Sequence, residues 1–458
     1  MALRIVILAA GKGKRMASQA PKVMHALGGI PMIERVVATA QSLNPIGIHV
    51  VYGNGGETLR DAFPNLPVSW VFQKEQLGTG HAVIQALPDC RDDERVLVLY
   101  GDVPLISVNT LRLLLKETPK DGIGLLVTKV DNPAGFGRIV RDHDDNIVGI
   151  VEEKEATSTQ RAIEEINTGI VTAPAKFLKT HLPRLSNKNA QKEYYLTDMI
   201  SLAVEAGIPV RGVSAISSYE VRGVNDRWQL VTLERQYQQE LARELACSGV
   251  SIMDPARLDI RGNVSVAPTV MLDINVILEG DVSIDVGCDI GPNVVIKNTK
   301  MGKRVKVFAN SVIEGAVIED DCTIGPFARV RAETILKTNS KIGNFVETKK
   351  ITLGENSKAS HLTYLGDAII GKNVNIGAGT ITCNYDGANK WQTQINDGAF
   401  IGSNTSLIAP VEIGKNATIA AGSVVHKNAP ADQLTITRAK QAVVDNWKRP
   451  AKAAEINE

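Results

Sequence analysis

Short apolar segments alternate with longer mixed segments through the first half of the chain. Four of them are rich in Val, Ile and Leu and have the length of β-strands: residues 4–10, 49–53, 96–100 and 124–130. Enough chain lies between consecutive segments to form a crossover helix. The pattern predicts an α/β domain over residues 1–226 with a mostly parallel sheet, whose ligands should bind beyond the carboxyl ends of the strands.

The pattern changes near residue 227. Residues 228–246 contain neither Gly nor Pro, and their apolar side chains recur three or four positions apart. That spacing predicts a single helix with one apolar stripe. We expect this helix, within residues 227–250, to connect two domains; an ordinary packing helix is the alternative.

Aliphatic residues recur at every sixth position from about residue 251 to 429. The longest run comprises Ile395, Ile401, Leu407, Ile413, Ile419 and Val425. A period of six suits a parallel β-helix in which three six-residue units form one triangular coil. We therefore predict an all-β domain over residues 251–458, with coils stacked about 4.8 Å apart. The spacing is interrupted at 331–341 and 383–394, where we expect loops and chemistry.

Composition narrows the class of protein. A chain of 458 residues is expected to form two domains, and an aromatic content of 4% suits a narrow aliphatic interior. The 51 basic and 50 acidic residues nearly balance, which argues against binding nucleic acid or anionic membranes through long-range charge. No apolar stretch approaches the roughly 20 residues of a membrane helix.

The expected location follows from the N-terminus and the cysteines. Basic residues follow the apolar run 5–10 rather than precede it, which is the reverse of a signal peptide. The five cysteines are widely spaced and form no C-x-x-C pair, so we expect neither a disulfide framework nor a structural zinc site. These features predict a protein of the reducing cytoplasm.

A glycine-rich basic loop follows the first apolar segment and reads LAAGKGKRM from Leu8 to Met16. Its glycines allow backbone N–H groups to approach phosphate oxygens, and Arg15 and Lys22 can neutralise phosphate charge. The loop is not a Walker A sequence, and it lacks the third Gly of the dinucleotide fingerprint. For the glycines alone, a structural turn is the alternative.

Two further residues stand near predicted strand ends. Asp102 follows the apolar segment 96–100, so its carboxylate should lie at the carboxyl edge of the sheet. There it could hold Mg²⁺ with few protein ligands together with substrate phosphates; a turn before Pro104 is the alternative. His81 opens a predicted helix, and we favour a structural role for it over proton transfer.

These motifs resemble known families. The glycine-rich loop and Pro21-Lys22 are similar to the L-x-x-G-x-G-T-R-M…P-K signature of sugar-nucleotide pyrophosphorylases, with Lys14 in place of the usual Thr. LGTGHA at 77–82 and YGD at 100–102 extend the likeness, and the six-residue repeat resembles hexapeptide acyltransferases. The whole chain resembles the bacterial bifunctional family that joins N-acetylglucosamine-1-phosphate uridyltransferase to glucosamine-1-phosphate N-acetyltransferase. This resemblance implies a Rossmann-like nucleotidyltransferase domain and a left-handed parallel β-helix.

For the N-terminal half, the resemblance implies a site for UDP-N-acetylglucosamine. Its residues would be Leu8, Ala9, Ala10, Gly11, Lys22, Gln73, Gly78, Thr79, Tyr100, Gly101, Asp102, Gly137, Glu152, Asn167 and Asn225. Of these, the uracil contacts would be Gln73, Gly78 and Thr79, and the acetylglucosamine contacts Gly137, Glu152 and Asn167. Asp102 and Asn225 would coordinate Mg²⁺. Arg15 and Lys22 would stabilise charge as the sugar phosphate attacks UTP and pyrophosphate leaves.

His361 is the candidate base in the repeat half. That half holds two histidines, His361 and His426, which are too few for a three-His zinc site within one chain. A lone His is usually structural, but His361 lies in a disturbed segment, 360–366, near Lys349 and Lys350, and it matches the catalytic His of the family. Acetyl transfer to an amine needs a base that titrates near neutrality, so His361 would deprotonate the 2-amino group of glucosamine-1-phosphate.

The resemblance implies further residues around His361. Glu347 would orient or help polarise the reacting groups. The sugar phosphate would be held by Arg331, Lys349, Tyr364 and Asn375. The acetyl-CoA contacts would be Ala378, Asn384, Tyr385, Ser403, Ala421 and Arg438. Ala332-Glu333 stands where the family commonly has Pro-Gly, and because such sites lie between neighbouring β-helices, the resemblance implies a homotrimer.

The sequence therefore predicts a two-step enzyme. The C-terminal half would acetylate glucosamine-1-phosphate with acetyl-CoA, and the N-terminal half would couple the product to UTP for bacterial cell-wall and lipopolysaccharide synthesis. One alternative keeps the nucleotidyltransferase and makes the β-helix an oligomerisation or regulatory module, as in glucose-1-phosphate adenylyltransferases. The other is a non-catalytic sugar-phosphate-binding protein.

Overall fold

The computed structural model describes residues 1–11, 13–53 and 55–449, except for the side chain of Lys14. The chain divides into two compact units, Met1–Leu241 and Ala242–Glu458. The division falls within the helix Arg227–Cys247, so most of this helix belongs to the first unit. The predicted boundaries at 226 and 250 instead treat the helix as a separate linker.

The N-terminal unit is built on one sheet, which has nine strands among the described residues. The strands are β1 (Leu3–Leu8), β2 (Gly47–Gly53), β3 (Ser69–Gln73), β4 (Arg95–Tyr100), β5 (Ile123–Lys129), β6 (Arg138–Arg141), β7 (Ile147–Val151), β8 (Glu165–Pro174) and β9 (Val210–Ser214). Their order is β9–β5–β8–β4–β1–β2–β3, and β6 pairs with β8 and β7. The mostly parallel sheet is confirmed. The sequence pattern did not predict that β8 runs antiparallel to both β4 and β5.

Helices cover both faces of this sheet. They are α1 (Met32–Gln41), α2 (Glu57–Ala62), α3 (Thr79–Ala86), α4 (Val108–Glu117), α5 (Ser158–Arg161), α6 (Ala175–His181), α7 (Met199–Glu205) and α8 (Arg227–Cys247). Because side chains alternate along a strand, Val6 and Leu8 of β1 pack with α3, whereas Ile5 and Ile7 pack with α1 and α4. Both faces are buried, as the continuous apolar strands predict.

The C-terminal unit is a parallel β-helix. Its first face consists of Ser251–Ile252, Met271–Leu272, Asp289–Ile290, Lys306–Val307, Thr323–Ile324, Lys341–Asn344, Lys358–His361, Asn375–Ile376, Phe400–Ile401, Thr418–Ile419 and Leu434–Thr435. The second face contains Val295–Lys297, Val312–Glu314, Arg329–Val330, Ile381–Cys383, Ser406–Ile408 and Val424–Val425. The third face contains Lys300–Met301, Ala316–Ile318, Thr334–Leu336, Thr393–Ile395 and Val411–Ile413. Four longer strands run along both the second and third faces: Leu258–Val266, Val276–Ile284, Glu347–Leu353 and Tyr364–Ile370.

Strand pairing confirms the six-residue repeat. On the first face, Leu272 pairs with Ile290, Ile290 with Val307, and Val307 with Ile324, so successive coils contain 17 or 18 residues. All four side chains are buried. Three units of about six residues therefore close each coil, and the aliphatic residue of each unit points into the narrow interior.

The predicted interruption at 331–341 is wrong. Val330, Leu336 and Ile342 are buried and stand six residues apart, and Ile324 pairs with Ile342 without an inserted loop. The interruption at 383–394 is a loop, because Ile376 pairs with Ile401, 25 residues later. Within this loop the backbone of Tyr385 forms an antiparallel bridge with Lys390.

Glu333 turns a corner of the coil with a left-handed backbone, φ 62°. It donates its backbone N–H to Gly315 of the preceding coil at 3.0 Å, and Gly315 has φ 61°. The Gly of the family pattern would adopt this conformation without the steric cost that a side chain adds. Glu333 therefore keeps the turn at some cost in stability.

Replacing Glu333 with Gly should stabilise the β-helix by about 0.5–1 kcal/mol, the steric gain less the entropy of a freer unfolded chain. Scanning calorimetry of the full chain should show the β-helix transition about 2 °C higher. The matched control is Ala332→Gly, at an exposed neighbour without positive φ, which should lower the same transition. Shifts of the same sign in both variants would contradict the assignment of strain to Glu333.

Candidate active sites

A cavity of about 480 Å³ opens beyond the carboxyl ends of β1, β3 and β4. Its lining includes ten of the residues predicted for nucleotide-sugar binding: Leu8, Ala9, Ala10, Gly11, Lys22, Gln73, Gly78, Thr79, Tyr100 and Asp102. Gly101 directly follows the lining residue Tyr100 and donates its backbone N–H to Leu8 at 3.0 Å. The cavity therefore lies where a mostly parallel sheet is expected to bind ligands.

Lys22 joins the two residues predicted to bind metal. Its ammonium group contacts the carboxylate of Asp102 and donates to the side-chain oxygen of Asn225 at 3.1 Å. Asp102 and Asn225 are far apart in the chain, but the backbone N–H of Val224 donates to the carbonyl of Asp102 at 2.9 Å and holds the two segments together. Two oxygen ligands thus converge on one cationic group inside the cavity.

These two oxygens fit a Mg²⁺ ion that is shared with a substrate. Mg²⁺ is usually bound by one or two carboxylates or amide oxygens, with phosphates and water completing an octahedron. Among the described residues, no group of three or more His, Cys, Asp or Glu side chains could hold a metal ion. A metal at Asp102 and Asn225 would therefore need ligands from a bound phosphate, and Lys22 would have to move aside.

Gln73 is fixed at the other end of the cavity. Its side chain is 2% exposed, and its amide nitrogen lies 3.3 Å from the carbonyl of Gly78 and 3.0 Å from Nδ1 of His81. Both amide hydrogens therefore have acceptors, which leaves Oε1 to accept a hydrogen bond from a ligand. His81 orients Gln73, in agreement with the structural role favoured for this histidine.

Gly137, Glu152 and Asn167 form a second group beside the cavity. The backbone N–H of Asn167 donates to Gly137 at 2.9 Å, and a Cβ added to Gly137 would lie 3.4 Å from Oε1 of Glu152. Burial raises the pKa of the Glu152 carboxyl, opposed by a 3.2 Å hydrogen bond from the Thr197 hydroxyl. The predicted sugar contacts are thus close together, and none of the three lines the nucleotide cavity.

The remaining basic residues of the loop are placed differently from the prediction. Arg15 is exposed on the single turn Lys14–Met16 and does not line the cavity. Lys12 and the side chain of Lys14 lie outside the described residues. Lys22 is therefore the predicted phosphate-neutralising side chain that the structure places in the cavity.

His361 ends a strand on the first face of the β-helix and is exposed. Its Nδ1 lies 2.6 Å from Oδ1 of Asn344, which occupies the same position one coil earlier. The hydroxyl of Thr363 donates to the backbone carbonyl of His361 at 2.7 Å. The histidine ring is therefore held at an open edge of the coil rather than in the core.

The predicted sugar-phosphate residues occupy two faces. Arg331 lies one coil from Lys349 and donates to Glu347 at 2.7 Å, and Glu347 pairs in register with Tyr364 on the second face. Asn375 lies on the first face. The structure thus brings Arg331, Lys349 and Tyr364 together with Glu347 but separates them from Asn375.

The predicted acetyl-CoA residues continue from His361 along one corner. The backbone N–H of Asn404 donates to Ala378 at 2.7 Å and that of Gly422 to Ser403 at 2.8 Å, which places Ala378, Ser403 and Ala421 on successive coils. Arg438 donates to the carbonyl of Ala421 at 2.9 Å. We call this row, from His361 through Ala378 and Ser403 to Ala421, the His361 edge.

Asn384 and Tyr385 belong to the inserted loop beside this edge. Asn384 is buried and donates to Asp367 at 2.5 Å. Tyr385 is 61% exposed, and its hydroxyl donates to the carbonyl of Gly387 at 2.6 Å. The two predicted contacts therefore differ: one supports the loop, and the other presents an aromatic ring to solvent.

Family models match both units of the chain. A MobA-like NTP transferase domain matches residues 5–191, which include the cavity. A GMPPB C-terminal domain matches residues 260–343, and six bacterial transferase hexapeptide repeats match residues 392–427. A nucleotidyltransferase unit is thus followed by hexapeptide repeats.

Two relatives match nearly the whole chain. The bifunctional protein GlmU of Coxiella burnetii (strain CbuK_Q154) is 59% identical over 453 residues, which cover 99% of this chain and 100% of the relative. The bifunctional protein GlmU of Legionella pneumophila (strain Lens) is 53% identical over 457 residues, which cover 99% of each. The chain belongs to the GlmU family.

Membership of the GlmU family agrees with the two units and with the predicted activities. The chain is a bifunctional enzyme that carries out uridylyl transfer in its NTP transferase unit and acetyl transfer in its hexapeptide unit. Its substrates are a nucleotide and acetyl-CoA. Among the residues that the structure describes, no helix has both the length and the apolar content needed to cross a membrane.

Sequence reasoning missed several residues of this GlmU-family cavity. Val23, Gln76, Ala82 and Glu193 also line it, and the segment around Glu193 holds its floor. The backbone N–H of Leu196 donates to the hydroxyl of Thr79 at 3.0 Å. This segment has no apolar period, and only the folded structure brings it against Thr79.

Asp198 is another GlmU-family residue that the sequence did not single out. Burial, followed by the nearby Glu155 and Glu152 carboxylates, raises the pKa of Asp198 to about 6. The group of carboxyls near the sugar contacts is therefore costly to ionise fully. No local motif marks such a group, because its members come from separate segments.

The cavity of this GlmU-family enzyme depends on Gly78, whose φ is 113°. A Cβ there would lie 2.7 Å from the carbonyl oxygen and 2.8 Å from the nitrogen of Tyr194, which are backbone atoms that cannot turn away. Gly78→Ala should therefore displace the loop and reduce uridylyl transfer more than tenfold, since small misplacements of binding groups are costly. Pyrophosphate release measures this loss.

Two controls belong to that measurement. Gly135→Ala adds a methyl group at φ 86° with nothing within 4 Å, so it tests backbone strain without the clash. Acetyl transfer by the same Gly78→Ala chain tests whether the variant remains folded. Equal losses in the Gly78 and Gly135 variants would show that the contact with Tyr194 is unimportant.

Proposed function

We propose that the cavity binds UTP and N-acetylglucosamine-1-phosphate with Mg²⁺, held by Asp102 and Asn225. The metal would neutralise the nucleotide phosphates during the displacement of pyrophosphate. Lys22, released from Asp102 and Asn225, would then contact the phosphates as a point charge. No side chain is required to form a covalent intermediate, because the phosphate oxygen of the sugar phosphate attacks the α-phosphorus of UTP directly.

Gln73 would read the base. With both amide hydrogens engaged by Gly78 and His81, its Oε1 can accept the N3–H of uracil. Cytosine presents an acceptor at that position, so it would leave Oε1 and the base nitrogen facing each other without a hydrogen. A buried unpaired polar group is costly, which favours UTP over CTP.

The sugar would lie against Gly137, Glu152 and Asn167. Their grouping beside Tyr100 supports this proposal, because Tyr100 lines the nucleotide cavity and its ring also limits the space at Gly169. Thr197 would hold Glu152 in position for a sugar hydroxyl. The sugar and nucleotide parts of the product would thus occupy adjoining regions.

In the β-helix unit, His361 would act as the base for acetyl transfer. Its Nε2 would take a proton from the 2-amino group as the nitrogen attacks the thioester carbonyl, and the C–S bond would break to release coenzyme A. Arg331 and Lys349 would hold the sugar phosphate, since two cationic groups suit a dianion. Glu347, which already pairs with Arg331, would help to order that group.

The coenzyme would lie along the His361 edge. Coils stack about 4.8 Å apart, so Ala421 lies about 14 Å from His361, a length that suits an extended pantetheine arm. Arg438 would meet the coenzyme phosphates at the far end, and Tyr385 would face the acetyl group or its carrier. The observation that carries the acetyltransferase proposal is this alignment of His361 with three small residues on successive coils.

A homotrimer would complete the second site. Asn375 lies on a different face from Arg331 and Lys349, and His361 is exposed, so one β-helix alone does not enclose a sugar phosphate. Side-by-side packing of three coils would bring these faces together. Sedimentation at a mass other than three chains would contradict this part of the proposal.

The enzyme would work in the cytoplasm, where UTP and acetyl-CoA are available. Its five cysteines are free, and burial raises the pKa of Cys90 and Cys288 to about 11, which keeps both as thiols. Reduced, unreactive cysteines are typical of that compartment.

One reaction tests both activities. The full chain is given glucosamine-1-phosphate, acetyl-CoA, UTP and Mg²⁺, and the products are identified by mass. We expect UDP-N-acetylglucosamine, pyrophosphate and free coenzyme A, with N-acetylglucosamine-1-phosphate accumulating when UTP is omitted. Failure to acetylate without UTP would favour the alternative in which the β-helix is only a scaffold.

A further inference from the structure

The ring of His361 has a defined hydrogen-bond partner on the neighbouring coil. Nδ1 lies 2.6 Å from Oδ1 of Asn344, and the two residues are paired in register. An amide oxygen can only accept, so Nδ1 must carry the hydrogen. In a neutral imidazole the lone pair then lies on Nε2.

The backbone makes this contact reproducible. The carbonyl of Asn344 accepts the N–H of Leu362 at 3.1 Å, so the strand carrying Asn344 is bonded directly to the turn after His361. Asn344 is itself half-buried at the end of the strand Lys341–Asn344. Its side chain therefore reaches the ring from a fixed position.

We propose that Asn344 is a positioning residue for acetyl transfer: it fixes the tautomer and ring orientation that make Nε2 of His361 the base. This inference rests on the proposed role of His361. Without Asn344 the neutral ring can exchange its two tautomers and rotate, and only part of the population presents a lone pair to the amine. Fixing one tautomer through the other ring nitrogen is a common requirement for a histidine base.

An amide suits this position better than a carboxylate. A negative charge next to Nδ1 would stabilise the imidazolium and raise the pKa of the base. The charged and titratable side chains on the flanking strands are Lys341 and Lys358 on the first face and Glu347, Lys349 and Tyr364 on the second. None of these is the recorded partner of the ring, whose contact is with the neutral Asn344.

Two substitutions separate positioning from general stability. Asn344→Leu removes the acceptor while keeping a similar volume, and should lower kcat for acetyl transfer about tenfold or more, with KM for both substrates nearly unchanged. Asn344→Asp keeps an acceptor but adds charge, so activity should persist at its optimum. Because the base must be unprotonated, the acidic limb of the pH profile should move upward by about one unit or more in Asn344→Asp.

The controls use the same chains. Uridylyl transfer should be unchanged in both variants, which reports on folding. Asn396→Leu removes another half-buried asparagine that bonds across coils, to Glu412 at 2.9 Å, and should leave acetyl transfer intact. If Asn344→Leu does not fold, the pH profile of Asn344→Asp decides the question alone.

Two results would overturn the inference. One is wild-type kcat in Asn344→Leu, and the other is an unshifted acidic limb in Asn344→Asp. If His361→Ala also retains acetyl transfer, the role of His361 fails; if His361→Ala is inactive while both Asn344 variants behave as wild type, only the positioning role fails.

Discussion

Replacing His361 with alanine should reduce acetyl transfer by about 10²–10⁴-fold, the usual contribution of a general base. The ring lies at the exposed end of the His361 edge, so its removal opens no cavity in the core. Stability should change little for the same reason. Release of coenzyme A from acetyl-CoA in the presence of glucosamine-1-phosphate measures the loss.

Uridylyl transfer by the same variant should remain at the wild-type rate, because the cavity belongs to the other unit. His426→Ala is the matched control, since His426 is also an exposed histidine of the repeats. Equal loss of both activities in His361→Ala, or loss of neither, would contradict the assignment of separate sites. Loss of acetyl transfer in His426→Ala would contradict the choice of base.

Replacing Asp102 with asparagine should lower Mg²⁺-dependent pyrophosphate release by at least about 10²-fold, as expected when charge stabilisation of a phosphoryl transfer is lost. The substitution keeps the shape of the side chain and an oxygen for Lys22, so the loop should retain its conformation. What it removes is the carboxylate charge that a hard cation prefers. Binding of Mg²⁺ with UTP, followed by calorimetry, should weaken in parallel.

Acetyl transfer by Asp102→Asn should be unaffected. The matched control is Asp92→Asn, which neutralises an exposed carboxylate paired with Lys179 at 2.9 Å. Undiminished pyrophosphate release in Asp102→Asn would show that the metal is held elsewhere. Absence of release in the unmodified chain would instead support the alternative of a non-catalytic binding protein.

The repeating parts of the fold could be predicted from the sequence because each residue reports its own environment. Buried aliphatic residues such as Ile401 and Ile419 recur with the coil, and the strand ends at Leu8 and Tyr100 mark one edge of the sheet. The antiparallel direction of β8 could not be predicted in this way. A buried strand has the same composition whichever direction it runs.

The misjudged interruption at 331–341 has a specific origin. Arg331 and Glu333 lie at a corner, and polar residues there obscured the buried Leu336 that continues the six-residue spacing. Corners tolerate polar side chains because these point to solvent. The aliphatic position, rather than the overall polarity of the segment, decides whether a coil is complete.

The candidate sites were recovered only as far as motifs reach. Resemblance supplied Asn225 and His361, which no local pattern distinguishes from a structural Asn or His. Their neighbours Asn344 and Thr197 come from other strands or loops, and register alone places them. Pairing of this kind is a property of the folded chain rather than of any segment.

The coil length has a consequence for how this enzyme can tolerate insertions. Adding 18 residues as one complete turn would lengthen the row between His361 and Ala421 by a single step while every aliphatic side chain stays inside. Deleting one residue would instead rotate all later residues by one place until a loop absorbed the error. The loop after Cys383 adds chain without disturbing that count, since Ile395 again stacks on Ile370 of the preceding turn.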